Sequence, residues 1–449
     1  MAHPTELEAL YALIVAAGVT ALLTPLTMRF ARRVGAIDEP RERGLSDSPT
    51  PLLGGLAIFA GALVAALLVL PAGYGSDGDL WRGVFVGAAV ITLVGAIDDR
   101  FELHPAVKLV GQVIAAVIVV NAGVAVKAIT LPFVGELAFP NAGVTNAGPV
   151  LTVLGLVVMM NVVNFSDGVD GSAAGVCAII AAAMSIIAFD LGRQQPGVLA
   201  ALTAGAALGF LIYNFPPASS FMGDCGSNLL GLLMGVIAVE AAVKTAAVVS
   251  FVLPLILLAV PFLDTTFVVL KRLKYRQPIY RPDSEHFHHR MARIGFSSRR
   301  TIAYLYAWTL MLAGLALALR FVPYSDHKGH LRTGWTLVMI AIGLVVVAAS
   351  VYLVYVLEIL KFRRLDAIRL RRLRPEASPA EIDVHVAKDF ETGEFQAVSD
   401  AGQGGAEAHV DVNAGGAQQR VGKRQVDQDG VGADQERGGA QAPVAADGR

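Results

Sequence analysis

A chain of 449 residues that is 55% hydrophobic and 16% charged falls outside the soluble globular class, where charged residues make up roughly 25%. Its mean hydropathy of +0.58 points the same way, and the net charge of −1 carries no signal until its distribution is read. The two cysteines, Cys177 and Cys225, lie in different segments and suggest no disulfide framework.

The first apolar run follows His3-Pro4-Thr5-Glu6 without a basic flank, so a retained helix is expected there and no cleavable signal peptide. Spans are read at roughly 8–29, 52–71, 82–98, 105–122, 149–165, 172–190, 197–214, 227–243, 246–270, 301–321 and 334–361. Each is close to the length of about 20 residues that crosses a hydrocarbon core, which predicts an all-α polytopic membrane protein of about eleven transmembrane helices. Ala and Gly fill many of the spans and suit close helix packing in lipid. Residues 123–148 alternate Val, Ile, Leu and Phe between Gly, Pro and Asn, and are expected to form a small extracytoplasmic hairpin or irregular loop. Residues 1–365 are read as the transmembrane domain. Residues 366–449 are read as a hydrophilic cytoplasmic tail, rich in Gly, Ala, Gln and Asp from about 375, that lacks the apolar content to order itself.

Lys and Arg set the orientation. Arg32, Arg33, Arg41 and Arg43 follow the first span; Lys271, Arg272, Lys274, Arg276 and Arg281 follow the ninth; Lys361, Arg363, Arg364 and Arg369 follow the last. With an odd number of spans all three groups fall on one side, the cytoplasmic one, so the N-terminus is expected outside and the C-terminus inside. The loop 72–80 on the other side has no basic residue.

Four polar clusters then fall on the cytoplasmic side. Asp98-Asp99-Arg100 closes the third span, and adjacent carboxylates there project in different directions. The plainer alternative is a solvated helix end with Arg100 as its partner. Lys108, just inside the fourth span, either snorkels to the interface or binds a phosphate. In Asn161-Val-Val-Asn164-Phe-Ser-Asp167-Gly-Val-Asp170-Gly171, positions 161, 164 and 168 share one helical face, which aims both amides and both carboxylates at one small space. Such oxygens suit a hard cation that keeps waters or phosphate oxygens for the rest, although D-G is also an ordinary turn signal. Phe221-Met-Gly-Asp224-Cys-Gly-Ser227 opens the eighth span; Ser227 there is either a site residue or a plain helix cap, and Cys225 is read as a small filler. His286-Phe-His288-His289-Arg290 lacks a zinc ligand pattern and fits anion recognition better, with a solvated basic loop as the bland reading.

In this order and spacing the clusters resemble the polyprenyl-phosphate N-acetylhexosamine-1-phosphate transferase family, over roughly residues 10–360. The resemblance rests on Asp98-Asp99, Lys108, N-x-x-N-x-x-D-G-x-D-G, F-M-G-D-x-G-S and H-x-H-H-R. It implies a multi-pass enzyme of the bacterial plasma membrane whose cytoplasmic site moves a sugar-1-phosphate from a UDP-sugar to undecaprenyl or another polyprenyl phosphate and releases UMP. By that resemblance Asn164 and Asp224 ligate Mg²⁺, with Mn²⁺ as a substitute. Asp98, Asp99, Asp224 and His289 are the catalytic candidates; Lys108, Asp167, Asp170, His286, His288 and Arg290 bind substrate. Direct attack is favoured over an aspartyl intermediate. Membrane lipid is the setting, a homodimer is compatible, and no nucleic-acid partner is expected.

H-F-H-H-R looks like the GlcNAc-1-phosphate branch, and the phospho-MurNAc-pentapeptide transferases are the alternative. Gly44, Ser46 and Leu52 depart from the family, which typically carries Lys, His and Arg there, while Pro49-Thr50-Pro51 and Gly54-Gly55 are kept. A membrane transporter and a catalytically degenerate scaffold are the rivals from other classes.

Overall fold

The computed structural model describes residues 5–39, 49–70, 76–126, 128–131, 135–138, 147–243, 256, 258, 259, 297–324 and 332–356. These form ten α-helices: α1 (Glu6–Val34), α2 (Gly54–Val69), α3 (Ser76–Phe101), α4 (Pro105–Asn121), α5 (Ala147–Ser166), α6 (Ser172–Asp190), α7 (Gln194–Asn214), α8 (Gly223–Ile237), α9 (Ser298–Phe321) and α10 (Thr333–Val356). Eight of the described helices are long and apolar enough to cross a membrane, while α2 and α4 are shorter apolar helices. The expected span at 246–270 lies outside the described residues except at three positions, and the tail lies wholly outside them.

Local chemistry accounts for the helix ends. In α1 the Thr5 hydroxyl accepts from the Glu8 amide at 3.3 Å, and the Glu8 carboxylate accepts from the Thr5 amide at 2.6 Å, so two otherwise unpaired donors are satisfied reciprocally. Arg32 and Arg33 sit in its last turn, and Gly35 closes it in the left-handed region. Pro105 opens α4, where a missing N–H costs nothing.

Helix α1 packs against α2 and α7, α6 against α7 and α9, and α8 receives α3 and α5. Small residues permit these approaches. The buried side of α1 is Ala9, Ala12, Ala16, Thr20, Thr24 and Ala31, and it meets α7 at Gly205 and Gly209, where any Cβ would collide with the carbonyls of Leu13 and Ala17. Two short ribbons complete the fold. β3 (Ala128–Leu131) pairs antiparallel with β4 (Gly135–Ala138), so the expected hairpin is present. β1 (Ile37–Asp38) pairs antiparallel with β2 (Thr50–Pro51).

The consecutive helices α1 to α8 alternate in direction, and their contacts collect one set of ends: the C-termini of α1, α3, α5 and α7 with the N-termini of α2, α4, α6 and α8. Pro51-Leu-Leu-Gly-Gly55 is stitched to that set. The Phe221 amide donates to Pro51 O at 3.0 Å, Gly54 donates to Phe221 O at 3.1 Å, and Gly55 donates to Met222 O at 3.0 Å. A Cβ at Gly55 would collide with the backbone of Cys225 and Gly226. That contact leaves no room for a side chain at Gly55.

Three expectations need correction. Helix α3 starts six residues before the expected 82 and runs three past 98, because Ser76-Asp-Gly-Asp79 continues the helix beyond its apolar stretch. Helix α5 ends at Ser166, so Gly168 shares no helical face with Asn161 and Asn164. Ser227 is no cap: it lies inside α8, one turn past its start, and donates to Gly223 O at 3.0 Å.

Candidate active site

At the shared end of the helices, the last turn of α3 presents Asp98 and Asp99 in opposite duties. One Asp98 oxygen accepts from the Leu103 amide at 2.7 Å, which fixes the turn between α3 and α4. The other faces the Lys108 ammonium at 3.2 Å. Asp99 is turned into the N-terminus of α8, where its two oxygens accept from the amides of Asp224 at 2.6 Å and Cys225 at 3.2 Å. The first amides of a helix lack internal partners and carry partial positive charge, so a carboxylate is stabilised there. Gly223 makes this approach possible: its φ is +67°, and a Cβ would collide with the Asp99 carboxylate. Gly95, one turn below Asp99, likewise lets α3 touch the α8 backbone at Asp224 and Cys225.

Arg100 is no partner for these carboxylates. Its guanidinium donates to Val34 O and lies over the Phe101 ring. The cation beside Asp98 is Lys108, which also pairs with Asp224. This excludes simple snorkelling, since the ammonium is turned into the bundle end between two carboxylates.

Asp224 is the hub. One oxygen pairs with Lys108 and the other accepts from Asn164 Nδ2 at 2.6 Å. The same Asn164 amide reaches Ser227 Oγ at 2.9 Å. Asn161 does not aim into this space; it lies one turn lower and donates to Gln112 Oε1 and Val157 O, each at 2.8 Å.

The loop Asp167–Gly171 forms the next wall. Asp170 accepts from the Ala218 amide at 2.9 Å. Asn214 holds the loop from α7: its oxygen accepts from the Gly171 amide at 2.9 Å, and its nitrogen donates to Ser220 O at 3.0 Å. Tyr306 of α9 donates to Gly171 O at 2.7 Å. Burial pushes the Asp167 carboxyl well above the ordinary carboxylate range, and the neighbouring charges of Asp99 and Asp170 push it further. Burial also raises Asp170, against the hydrogen bond from Ala218. Desolvated carboxylates beside one another in a cleft are candidates for a functional site.

Two cavities meet here. One, of about 290 Å³, is walled by Asn164, Asp167, Asp170, Asn214, Phe221 and Ser227. The other, of about 780 Å³, is walled by Asp98, Arg100, Phe101, Leu103 and Glu39. Asp38, Leu52, Asp99 and Asp224 line both. The two cavities thus share a wall at Asp99 and Asp224.

Oxygen donors dominate it, and among the described residues no three His, Cys, Asp or Glu side chains converge into a metal cage. That fits a cation such as Mg²⁺, which is held by one or two carboxylates and leaves its remaining positions to water and phosphate oxygens. The ammonium already sits where Asp98 and Asp224 favour positive charge.

Seven of the expected site residues thus come together: Asp98, Asp99, Lys108, Asn164, Asp167, Asp170 and Asp224. His286, His288, His289 and Arg290 lie outside the described residues, as do Gly44 and Ser46. Sequence reasoning missed Asp38, Asn214, Gln112 and Asn228. For Gln112 the signal was available, as a lone amide inside an apolar run. Asp38 had no such signal, because only the ribbon turns it toward the cavities.

Residues 81–242 match the model of glycosyl transferase family 4. The chain is similar to a probable undecaprenyl-phosphate N-acetylglucosaminyl 1-phosphate transferase of Bacillus subtilis (strain 168), with 34% identity over 315 residues covering 69% of this chain and 84% of that protein. It is similar to a decaprenyl-phosphate N-acetylglucosaminephosphotransferase of Mycobacterium tuberculosis (strain ATCC 25618 / H37Rv), with 35% identity over 343 residues covering 69% and 82%. A phospho-N-acetylmuramoyl-pentapeptide-transferase of Moorella thermoacetica is 32% identical over 335 residues, covering 69% of this chain and 99% of that protein.

Proposed function

Because the chain belongs to glycosyl transferase family 4, we propose that it transfers GlcNAc-1-phosphate from UDP-GlcNAc to undecaprenyl or another polyprenyl phosphate in a membrane, with release of UMP. The observation that carries this reading is the meeting of two cavities at Asp99 and Asp224, beside Lys108 and Asn164. The reaction brings two phosphates together and needs one place where both are neutralised and aligned.

An oxygen of the acceptor phosphate forms a bond to the sugar-bearing phosphorus, and the bond from that phosphorus to the bridging oxygen of UDP breaks. The electron pair leaves with UMP. Asp98 is assigned to position the acceptor phosphate and take its proton, since Asp99 already accepts two amides of α8. Lys108 moves from its carboxylates to a phosphate oxygen when substrate enters. Asp224 and Asn164, with Ser227 beside them, would hold Mg²⁺, which when bound would supply positive charge to neutralise the pyrophosphate. Asp167 and Asp170, on the loop held by Asn214, order the nucleotide end of the smaller cavity. His286, His288, His289 and Arg290 supply further phosphate contacts.

The site is assigned to the cytoplasmic face of the bacterial plasma membrane. Arg29, Arg32 and Arg33 lie at the same end of α1, and the basic segments after residue 270 agree by charge bias. The test is UMP release by the purified protein with Mg²⁺, undecaprenyl phosphate and a panel of UDP-sugars. Turnover is expected with UDP-GlcNAc and none after chelation. Turnover with UDP-MurNAc-pentapeptide alone would move the chain to the other branch, and none with any UDP-HexNAc would leave a scaffold.

A further inference from the structure

Below the site lies a second polar layer that the reaction does not use. Asn161 Nδ2 donates to Gln112 Oε1 at 2.8 Å, Gln112 Nε2 donates to Asn228 Oδ1 at 2.7 Å, and Asn228 Nδ2 donates to Asp224 O at 2.8 Å. Gln112 and Asn228 are each 1% exposed. The three amides come from α4, α5 and α8, the helices that carry Lys108, Asn164 and Asp224. Gln112 is four residues after Lys108, Asn228 is four after Asp224, and Asn161 is three before Asn164, so each lies one turn beneath its partner in the site.

We propose that Gln112, Asn161 and Asn228 are positioning residues that hold Lys108, Asn164 and Asp224 in register. Glycine contacts lock α8 against α3 and α5, but among the described residues none joins α4 to α8; an apolar face there would distinguish poorly between registers, because lipid and Leu are equivalent neighbours. A line of amides, with Gln112 and Asn228 buried and Asn161 half-buried, has one satisfied arrangement, and a shift or rotation strands a polar group in an apolar layer. A single buried amide fixes register in coiled coils by the same logic. The site above needs such a brace, since Lys108 of α4 pairs at once with Asp98 of α3 and Asp224 of α8, and each pairing holds only while the three helices keep their register. The chain ends on the Asp224 backbone, so it acts on the hub directly.

This deepens the transferase reading and rests on it for the kinetic arm of its test; a second arm reads the geometry without turnover. Gln112→Met is expected to lower kcat at least about tenfold with the KM for UDP-GlcNAc within about threefold, as a displaced catalytic group does. It also opens the ion pairs of Lys108, which then acylates at least about fivefold faster with an amine-reactive probe read by mass spectrometry. The decisive variant is the triple Gln112→Met/Asn161→Leu/Asn228→Leu, which leaves no stranded amide and recovers thermal stability. Its kcat is expected to stay about tenfold down and its Lys108 to label fast. Wild-type turnover or wild-type labelling in a folded triple variant would overturn the proposal, because apolar packing would then set the register. Should the triple variant not fold, Asn161→Leu, which spares the Gln112–Asn228 bond, is expected to label about twofold faster, and wild-type labelling there overturns it equally. A wild-type protein that releases no UMP sinks the transferase reading while the labelling arm still decides the layer.

Discussion

Helices α8 and α10 are both long and apolar enough to cross a membrane, and they sit in opposite places. Of the eight helices able to cross a membrane, α8 is the least apolar and 83% of its spanning window is buried; α10 is the most apolar and 11% is buried. A soluble protein would show the reverse order. In lipid the apolar residue is the surface residue, so polar and small side chains mark what lies inside. Helix α8 opens on Gly223-Asp224-Cys-Gly-Ser227-Asn228 and touches α3 and α5 through glycines. Helix α10 exposes Leu337, Leu344, Val345 and Tyr352, and meets α9 through Trp308, which donates to Ser350 Oγ at 3.0 Å.

The largest test of this contrast is chemical. Asp224→Ala removes the acceptor for both Lys108 and Asn164 and is expected to lower UMP release at least about a thousandfold, as loss of a preorganised electrostatic group does. Asn164→Ala should come close to it. Leu337→Ala on α10 faces outward and is expected to change turnover less than about twofold. A large loss from Leu337→Ala would mean that α10 is covered by something that matters to the reaction.

A steric test comes next. A Cβ at Gly231 of α8 would lie 2.5 Å from Met160 Cα and 2.8 Å from Met159 O, whereas one at Gly343 of α10 meets nothing within 4 Å. Gly231→Ala is therefore expected to destabilise the protein by about 1–3 kcal/mol through overpacking. Gly343→Ala should be neutral or stabilise by up to about 1 kcal/mol, from helix propensity alone. Thermal unfolding in one detergent reads both, and equal effects would break the contrast.

The same contrast explains what was legible in the chain. Long apolar runs named the helices, since length and hydropathy suffice when the solvent is lipid. Motif order named seven residues that the fold brings together. Directions within the site were not legible. Asp98 and Asp99 are equivalent in sequence, and only the glycine at 223 and the start of α8 decide that Asp99 faces the helix end. Arg100, the partner in the plainer alternative, is adjacent in sequence, yet a helix turns neighbours apart and the cation beside Asp98 arrives from Lys108 on the next helix. Asn161 was grouped with Asn164 for being three residues away, although one turn separates the site from its brace. Helix ends drifted where polar residues stay helical, as at the start of α3.

The smallest expected effect concerns charge, and it separates the loop above α8 from α10 by sign as well as size. Asp167 binds its proton more tightly in the fold than in an unfolded chain, through burial first and then the charges of Asp99 and Asp170. Between the ordinary carboxylate value of about 3.9 and the raised one, the folded state holds the extra proton, so stability falls as pH rises through that window. It is fully present below the ordinary value. Asp167→Asn removes this loss, so its midpoint of thermal unfolding, measured without divalent ions, should rise above wild type by more at pH 8 than at pH 5. Gly343→Ala, on a helix with no acidic or basic residue, should shift the midpoint equally at both. A pH-independent gain from Asp167→Asn would show that Asp167 keeps an ordinary affinity for its proton.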